Sequence, residues 1–224
     1  MRGQGYAGAA VTRGSFRGVQ ALIREVYLLA VYTQCCSHSL ILCLNDASKV
    51  SDIPDAFATI GEVCTYFRSS SKRTGVLKKD LESSSRTVSR LHKYCETRWV
   101  EWHEAVILFS EALPDIVESL EALMESETGR NATASTLHTH LCSFNFLVSV
   151  AVIERSLSLT LRLSQYLQGN FVDMSVALEH IDLVLKQLSD IRKYANDKFK
   201  KIFDSCQATA RGSAIKPEIP RKLG

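Results

Sequence analysis

This chain has few of the features that mark secreted, membrane-spanning or strongly charged proteins. It contains four prolines in 224 residues, its aromatic residues make up 8%, and its formal net charge is +3. Such a small positive excess does not by itself indicate nucleic-acid binding. No uninterrupted apolar run reaches the roughly 18 residues that a membrane-spanning helix needs, and no apolar signal-peptide segment begins the chain. We therefore expect a nuclear or cytoplasmic protein without a membrane partner.

The seven cysteines form neither a disulfide framework nor a complete metal-binding pattern. Their number is odd and they are scattered, so we expect reduced thiols. Cys35 and His38 have half of a zinc-ligand spacing. The best second group is His138, His140 and Cys142, but in a helix only the first and last of these share a face. We expect no metal, and the absence of a phosphate-binding loop or nucleophile elbow leads us to expect no cofactor.

Apolar residues recur at helical spacing along most of the chain, which predicts a mainly α-helical fold. The predicted helices cover roughly residues 15–26, 37–47, 51–67, 76–81, 99–126, 132–168 and 172–208. We expect Ser15 and Ser51 to cap the first and third of them, and Asn131 to cap the sixth. Residues 69–90 should be a solvated linker around the short fourth helix, and Pro114 should split or kink the fifth.

The first 50 residues differ from this helical pattern. Gly3–Gly14 contains four glycines in twelve residues and reads as a loop. Leu28–Thr33 is short, β-branched and aromatic, and is the only convincing strand. Because a single strand cannot satisfy its own backbone groups, we expect this region to be the least stable part of the chain.

Four motifs, in order along the chain, resemble those of a known family. They are Gly5-Tyr6-Ala7-Gly8-Ala9, the Cys35-x-x-His38 element within Tyr32–Leu42, Cys95-x-Thr97-Arg98-Trp99, and Ile219-Pro220-Arg221. Together they are similar to the motifs of hAT-family DNA transposases. The subgroup they resemble is one of transposon-derived host proteins, which includes the zinc finger MYM-type proteins and a repressor of a protein-kinase inhibitor.

This resemblance implies a small remnant of an RNase H-like α/β core followed by a large helical insertion domain. Residues 1–50 would be the partial core, with one helix, one strand and the start of another helix. Residues 51–210 would be the all-helical insertion domain, and 211–224 an extended tail. The strand with the first catalytic Asp would precede Met1, and the helix with the final Glu would follow Gly224.

The resemblance also implies that the chain is not an enzyme. In the family the first motif reads Gly-Tyr-Asp-Gly-Ala, and its Asp belongs to a carboxylate triad that holds two divalent metals. Here the position is Ala7, whose methyl group cannot bind a hard cation. We therefore expect no catalytic residues, and a residual role in binding proteins, in self-association or in weak DNA binding. The alternatives are a helical interaction module in transcriptional or kinase-pathway regulation and, against Ala7, a subunit of a DNA transposase.

If DNA is bound, the resemblance implies which residues contact it. Cys35 and His38 would border the DNA, while Arg98 and Trp99 would lie where the insertion domain meets the core. Trp99 would stack on a flipped base. The alternative for the first pair is a buried cysteine and a half-buried histidine at a strand-to-helix junction. The alternative for Trp99 is that it anchors a helix in the core together with Trp102.

Overall fold

A computed structural model describes residues 2–6, 17–50, 52–84, 91, 99–126, 131–169, 171–212 and 215. Of these residues 81% are helical, which confirms the prediction of a mainly α-helical chain. In chain order the elements are β1 (Gly3–Tyr6), α1 (Val19–Val26), β2 (Val31–Gln34), α2 (Cys36–Ala47), α3 (Ile53–Arg68), α4 (Ser71–Ser83), α5 (Trp99–Ser126), α6 (Ala132–Leu141), α7 (Phe144–Leu167), α8 (Met174–Lys193) and α9 (Ala195–Gly212).

The N-terminal unit is a strand-helix-strand arrangement that the sequence predicted only in part. β1 and β2 pair in parallel, with Gly3 opposite Val31 and Tyr6 opposite Gln34. The prediction of a loop was therefore wrong for Gly3–Tyr6, and the predicted strand lies slightly later than Leu28–Thr33. Glycine disfavours an isolated strand, but here pairing with a strand much later in the chain decides the conformation.

A buried polar side chain joins β1 to the rest of this unit. Gln4 is buried, and its Nε2 donates hydrogen bonds to the backbone oxygens of Gln20 in α1 and Ala30 before β2, at 3.1 and 3.2 Å. α1 itself begins at Val19, with Gly18 as its N-cap residue, so it starts later than predicted. The predicted caps Ser15 and Ser51 lie outside the described residues.

The helical bundle is built around α5 and α7. α5 packs against α4, α6 and α7, and α7 packs in addition against α2, α3, α8 and α9. Its main core contains large side chains that are completely or almost completely buried, among them Phe67, Phe109, Ile116, Leu120 and Leu141. A second, smaller cluster attaches α9 to α7 through Phe144, Leu147, Cys206 and Ala210.

Within the part of the chain that the structure describes, α7 is the one helix with the length and apolar composition needed to cross a membrane. Its most apolar 18-residue window has a mean hydropathy of 1.4, and 44% of that window is buried inside the protein. Ten of its residues are buried against neighbouring helices. These properties are weak support for a membrane span, because a buried core helix of a bundle also has them.

Several helix boundaries differ from the sequence-based prediction. The segment predicted as one helix over 132–168 is divided at Ser143, whose Oγ accepts a hydrogen bond from the Phe146 amide at 3.2 Å. The segment predicted over 172–208 is divided at Tyr194, and α9 extends to Gly212, into the predicted tail. The predicted cap at Asn131 is confirmed, since its Oδ1 accepts a hydrogen bond from the Ala134 amide.

Two further helices are longer or more continuous than predicted. α4 covers most of the described part of the predicted linker, because Leu77 and Leu81 are buried against the bundle. α5 runs without a break through Pro114. Of the two predicted effects of this proline, the split was therefore wrong, and the kink stays a prediction. At both places tertiary packing thus outweighs the local sequence, which is polar in α4 and contains a helix-breaking proline in α5.

Candidate functional site

The carboxyl ends of the two parallel strands lie together. The backbone N–H of Cys35, directly after β2, donates to the carbonyl of Tyr6 at the end of β1, at 3.1 Å. The rings of Tyr6 and Tyr32 stack with centroids 6.3 Å apart and planes inclined by 21°. In open α/β sheets this edge is where ligands bind. Ala7 is the next residue along the chain from Tyr6, and it lies outside the described residues.

Cys35 and His38 occupy the first turn of α2 at this edge. Cys35 is exposed and has extended backbone dihedral angles as the N-cap residue of α2. This corrects the alternative of a buried cysteine, while His38 is half-buried as that alternative expected. The amide and hydroxyl of Ser39 both donate to the Cys35 carbonyl, at 3.0 and 3.2 Å. The hydrogen bonds hold the main chain of this turn and leave the Cys35 thiol facing solvent.

Of the second predicted pair, Arg98 and Trp99, the structure describes only the backbone of Trp99. Trp99 is the first residue of α5, but its side chain and all of Arg98 lie outside the described residues. Nothing in the described structure therefore brings Trp99 beside Cys35 and His38. The prediction that these four residues contact DNA stays a prediction.

His138 and Cys142, from the group weighed as a second set of zinc ligands, share one helix face, as the spacing indicated. His138 Nε2 lies 3.6 Å from Cys142 Sγ and 2.9 Å from an oxygen of Glu121 in α5, while His140 is exposed. Burial raises the pKa of the Cys142 thiol, and the nearby Glu121 carboxylate raises it further. The thiol is therefore protonated at neutral pH and is not activated as a nucleophile. Among the described residues, no three potential ligands converge on a metal position.

A cleft of about 580 Å³ lies between α5, α7 and α9. Its walls include the apolar side chains of Val117 and Val150, and its polar lining includes the carboxylates of Glu118 and Glu154. Ile215, whose amide donates to the Ala210 carbonyl at 3.0 Å, also lines it. The size suits a small ligand. Two side-chain pairs border the cleft, Ser110 with Glu154 at 3.5 Å and Cys142 with His138 at 3.6 Å, but the Cys142 thiol has a raised pKa and is not activated.

The largest feature that sequence reasoning missed is on α8. Leu178, Leu185 and Leu188 recur at helical spacing, a pattern typical of a packed helix face, yet all three are exposed. On this helix Ala177 and Val184 are the buried residues. The signal was present in the sequence, because apolar residues on α8 extend over more of the helix surface than a single packed face needs.

The chain is similar to two curated proteins over nearly its whole length. It is 25% identical over 232 residues to the mouse "52 kDa repressor of the inhibitor of the protein kinase", a match that covers 99% of this chain and 31% of the mouse protein. It is also 25% identical over 231 residues to the human protein of that name, covering 99% of this chain and 30% of the human one. The chain therefore spans about a third of the length of the curated relatives it matches.

No protein-family model matches the chain, and no solved structure matches it significantly. The two matched proteins belong to the subgroup that the four sequence motifs indicated. The similarity is low but covers 99% of the chain, and with the motifs it supports a distant relationship. The chain is thus a distant relative of the 52 kDa repressor of the inhibitor of the protein kinase.

Proposed function

We propose that this chain is a noncatalytic regulatory module of hAT-transposase ancestry, which acts by binding protein partners and, more weakly, DNA. The hydrogen bond from the Cys35 amide to the Tyr6 carbonyl is the observation that carries the proposal. Residue 7 follows Tyr6 directly, at the strand end where the resemblance implies a metal-binding Asp. In this chain the residue is Ala7, and a methyl group offers no oxygen ligand to a divalent cation.

The relatives support the regulatory part of the proposal. Both are named as repressors of an inhibitor of a protein kinase, which describes regulation of another protein and no chemical reaction. The chain corresponds to about a third of the length of those proteins. Any function that it shares with them would therefore be part of what the whole relatives do. A predominantly helical bundle with exposed apolar side chains on α8 is suited to such a binding role.

A cleavage assay tests the absence of catalysis. Purified chain is incubated with labelled duplex and hairpin DNA in Mg²⁺ or Mn²⁺, with and without a chelator. We expect no strand cleavage or joining in any of these conditions. Cleavage that is abolished by the chelator would overturn the proposal, since it would require a metal-binding set that does not include residue 7.

A binding assay tests the DNA contact. Because the net charge is only +3, we expect weak affinity that falls steeply with salt, as counterion release supplies most of it. The indole of Trp99 is proposed to stack on an unpaired base, and Arg98 to contact phosphate. Trp99→Ala should therefore weaken binding to a hairpin more than binding to plain duplex.

Trp102→Ala, on the same helix, is the matched control for that experiment. It should leave hairpin binding unchanged, because of the two tryptophans only Trp99 is assigned a DNA contact. Thermal melts of both variants separate binding from folding. If Trp99→Ala lowers the melting temperature sharply and leaves DNA binding unchanged, Trp99 is a core residue and the DNA contact is wrong.

A further inference from the structure

We propose that α8 is a self-association surface, on which two copies of this chain pair through antiparallel α8 helices. The proposal goes beyond the binding role above, because it identifies the surface and its occupant. It is independent of whether the chain binds DNA or has lost catalysis. Three features of α8 support it, namely its apolar rows, the distribution of charge along it, and the residues at its two ends.

α8 carries two neighbouring apolar rows, and the bundle covers one of them. Ala177 and Val184, seven residues apart, are buried against α7 and α9. Leu178 and Leu185 each follow one of these residues, and they are 57% and 56% exposed. Met174 continues this second row toward the helix start and is also exposed. Residues at spacings of four and seven lie on one side of a helix, so the second row forms a continuous apolar stripe in solvent.

The stripe is long enough for a helix-to-helix contact. From Met174 to Leu188 it covers 14 steps of the helix, or about 21 Å at the rise of an α-helix. Contiguous exposed apolar surfaces of this kind mark interaction sites. A standard interface involves about 20–30 residues on each side, and the stripe supplies only Met174, Leu178, Leu185 and Leu188. We therefore expect a weak, concentration-dependent association to which residues at the helix ends also contribute.

The charges of α8 indicate that its occupant is a second copy, arranged antiparallel. Outside the stripe, the first half carries the acidic residues Glu179 and Asp182, and Asp173 precedes it as the N-cap. The second half carries Lys186, Arg192 and Lys193 against one acid, Asp190. An antiparallel pair places each acidic half beside the basic half of the other copy, whereas a parallel pair would place like charges together. The same surface is thus complementary to itself, as a two-fold interface requires.

The residues at the two ends of α8 fit the same arrangement. Phe171, just before the helix, is 95% exposed, and Tyr194, directly after it, is about half exposed. With a two-fold axis near the middle of α8, Phe171 of one copy lies beside Tyr194 of the other. The same axis brings Leu178 beside Leu188. Aromatic residues are the side chains that most often anchor such contacts.

The test measures the oligomeric state of the purified chain by sedimentation over a wide range of concentrations. We expect the wild type to form dimers as concentration rises. Leu185→Glu, which places a charge in the stripe, should weaken dimerisation about tenfold or more. The matched control is Leu183→Glu, because Leu183 is 50% exposed on the same helix but lies on roughly the opposite side. It should leave dimerisation unchanged.

Two charge-reversed variants test the antiparallel complementarity. One carries Glu179→Lys with Asp182→Lys, and the other carries Lys186→Glu with Arg192→Glu. Each should dimerise more weakly than the wild type, and a mixture of the two should form heterodimers. Circular dichroism and thermal melts confirm that each variant is folded. A wild type that stays monomeric throughout, or dimers that Leu185→Glu and Leu183→Glu affect equally, would overturn the proposal and assign α8 to another occupant.

Discussion

Cys64 illustrates how the bundle changes the chemistry of a single side chain. It lies in α3 with 5% of its surface exposed. Burial raises the pKa of its thiol from 9.0 to about 11, and the charge of Arg68 only partly opposes this. Cys35, Cys36 and Cys43 are exposed, so thiol reagents should modify them well before Cys64.

The raised pKa of Cys64 predicts a loss of stability at alkaline pH. Between pH 9 and pH 11 the unfolded chain releases this proton while the folded chain retains it, so the free energy of unfolding falls as pH rises. The stabilisation is fully present below pH 9 and is lost by pH 11, a change on the order of 2 kcal/mol. Urea unfolding of the wild type and of Cys64→Ala at both ends of this range measures it.

The alanine variant serves as the reference, because it retains every other group that titrates in this range. It should be less stable than the wild type below pH 9, since removal of the buried sulfur leaves a cavity. The difference between the two proteins should then shrink as pH rises. A difference that stays constant across the range would show that Cys64 does not carry this pH dependence.

α5 shows how tertiary contacts maintain an element against its own sequence. Pro114 lacks the backbone N–H that would bond to the carbonyl of Ser110, and a proline inside a helix costs about 3 kcal/mol. The helix nevertheless continues, because Phe109, Ile116 and Leu120 are buried on both sides of the proline. Burial of such side chains contributes about 1.5–3 kcal/mol each, which exceeds the cost of the missing hydrogen bond.

Replacing Pro114 by alanine should therefore stabilise the protein. Pro114 is exposed, so little packing is lost, and the alanine restores the helical donor. We expect the free energy of unfolding to rise by about 1–3 kcal/mol, measured by urea unfolding. Glu118→Ala, an exposed site one turn later, is the control and should change it by no more than about 0.5 kcal/mol. A lower stability for the Pro114 variant would mean that the packing of α5 requires the proline geometry.

Across the whole chain, stability is distributed unevenly between the sheet unit and the bundle. The sheet has two strands, each with one unpaired edge among the described residues. Val31 in β2 is exposed, as are Leu28 and Leu29 just before it. Two-stranded parallel sheets bury little apolar surface, so they are only marginally stable unless other strands or helices pack against them. The bundle, in contrast, contains many side chains with no exposed surface.

Hydrogen exchange should resolve this difference. We expect the amides of Gly3–Tyr6 and Val31–Gln34 to open with a free energy at least about 2 kcal/mol lower than those of Val106–Leu123 in α5. Exchange measured residue by residue in the native state gives both values in one experiment. Equal protection of the sheet and of α5 would mean that the two parts unfold as one cooperative unit.

The local sequence was sufficient to predict the structural features that depend only on residues within one or two turns. The helical periodicity of α2, α3 and α5, and the cap at Asn131, depend on neighbours within one or two turns, and these predictions are confirmed. The motifs around Tyr6, Cys35 and Arg98 likewise indicated the subgroup to which the two matched proteins belong. For the candidate site, the sequence indicated that Cys35 follows a strand, and it could not indicate whether its thiol is exposed.

Contacts between residues far apart in the sequence determined the features that the local sequence did not predict. Gly3–Tyr6 is a strand because β2, more than twenty residues later, supplies its hydrogen-bond partners. α5 passes Pro114 because buried neighbours on other helices offset the missing donor. On α8 both apolar rows have the same periodicity, and only the positions of α7 and α9 determine that Ala177 and Val184 are buried while Leu178 and Leu185 face solvent. A pattern along the chain specifies which residues share a face, but burial also needs a partner surface, and the fold determines where that surface lies.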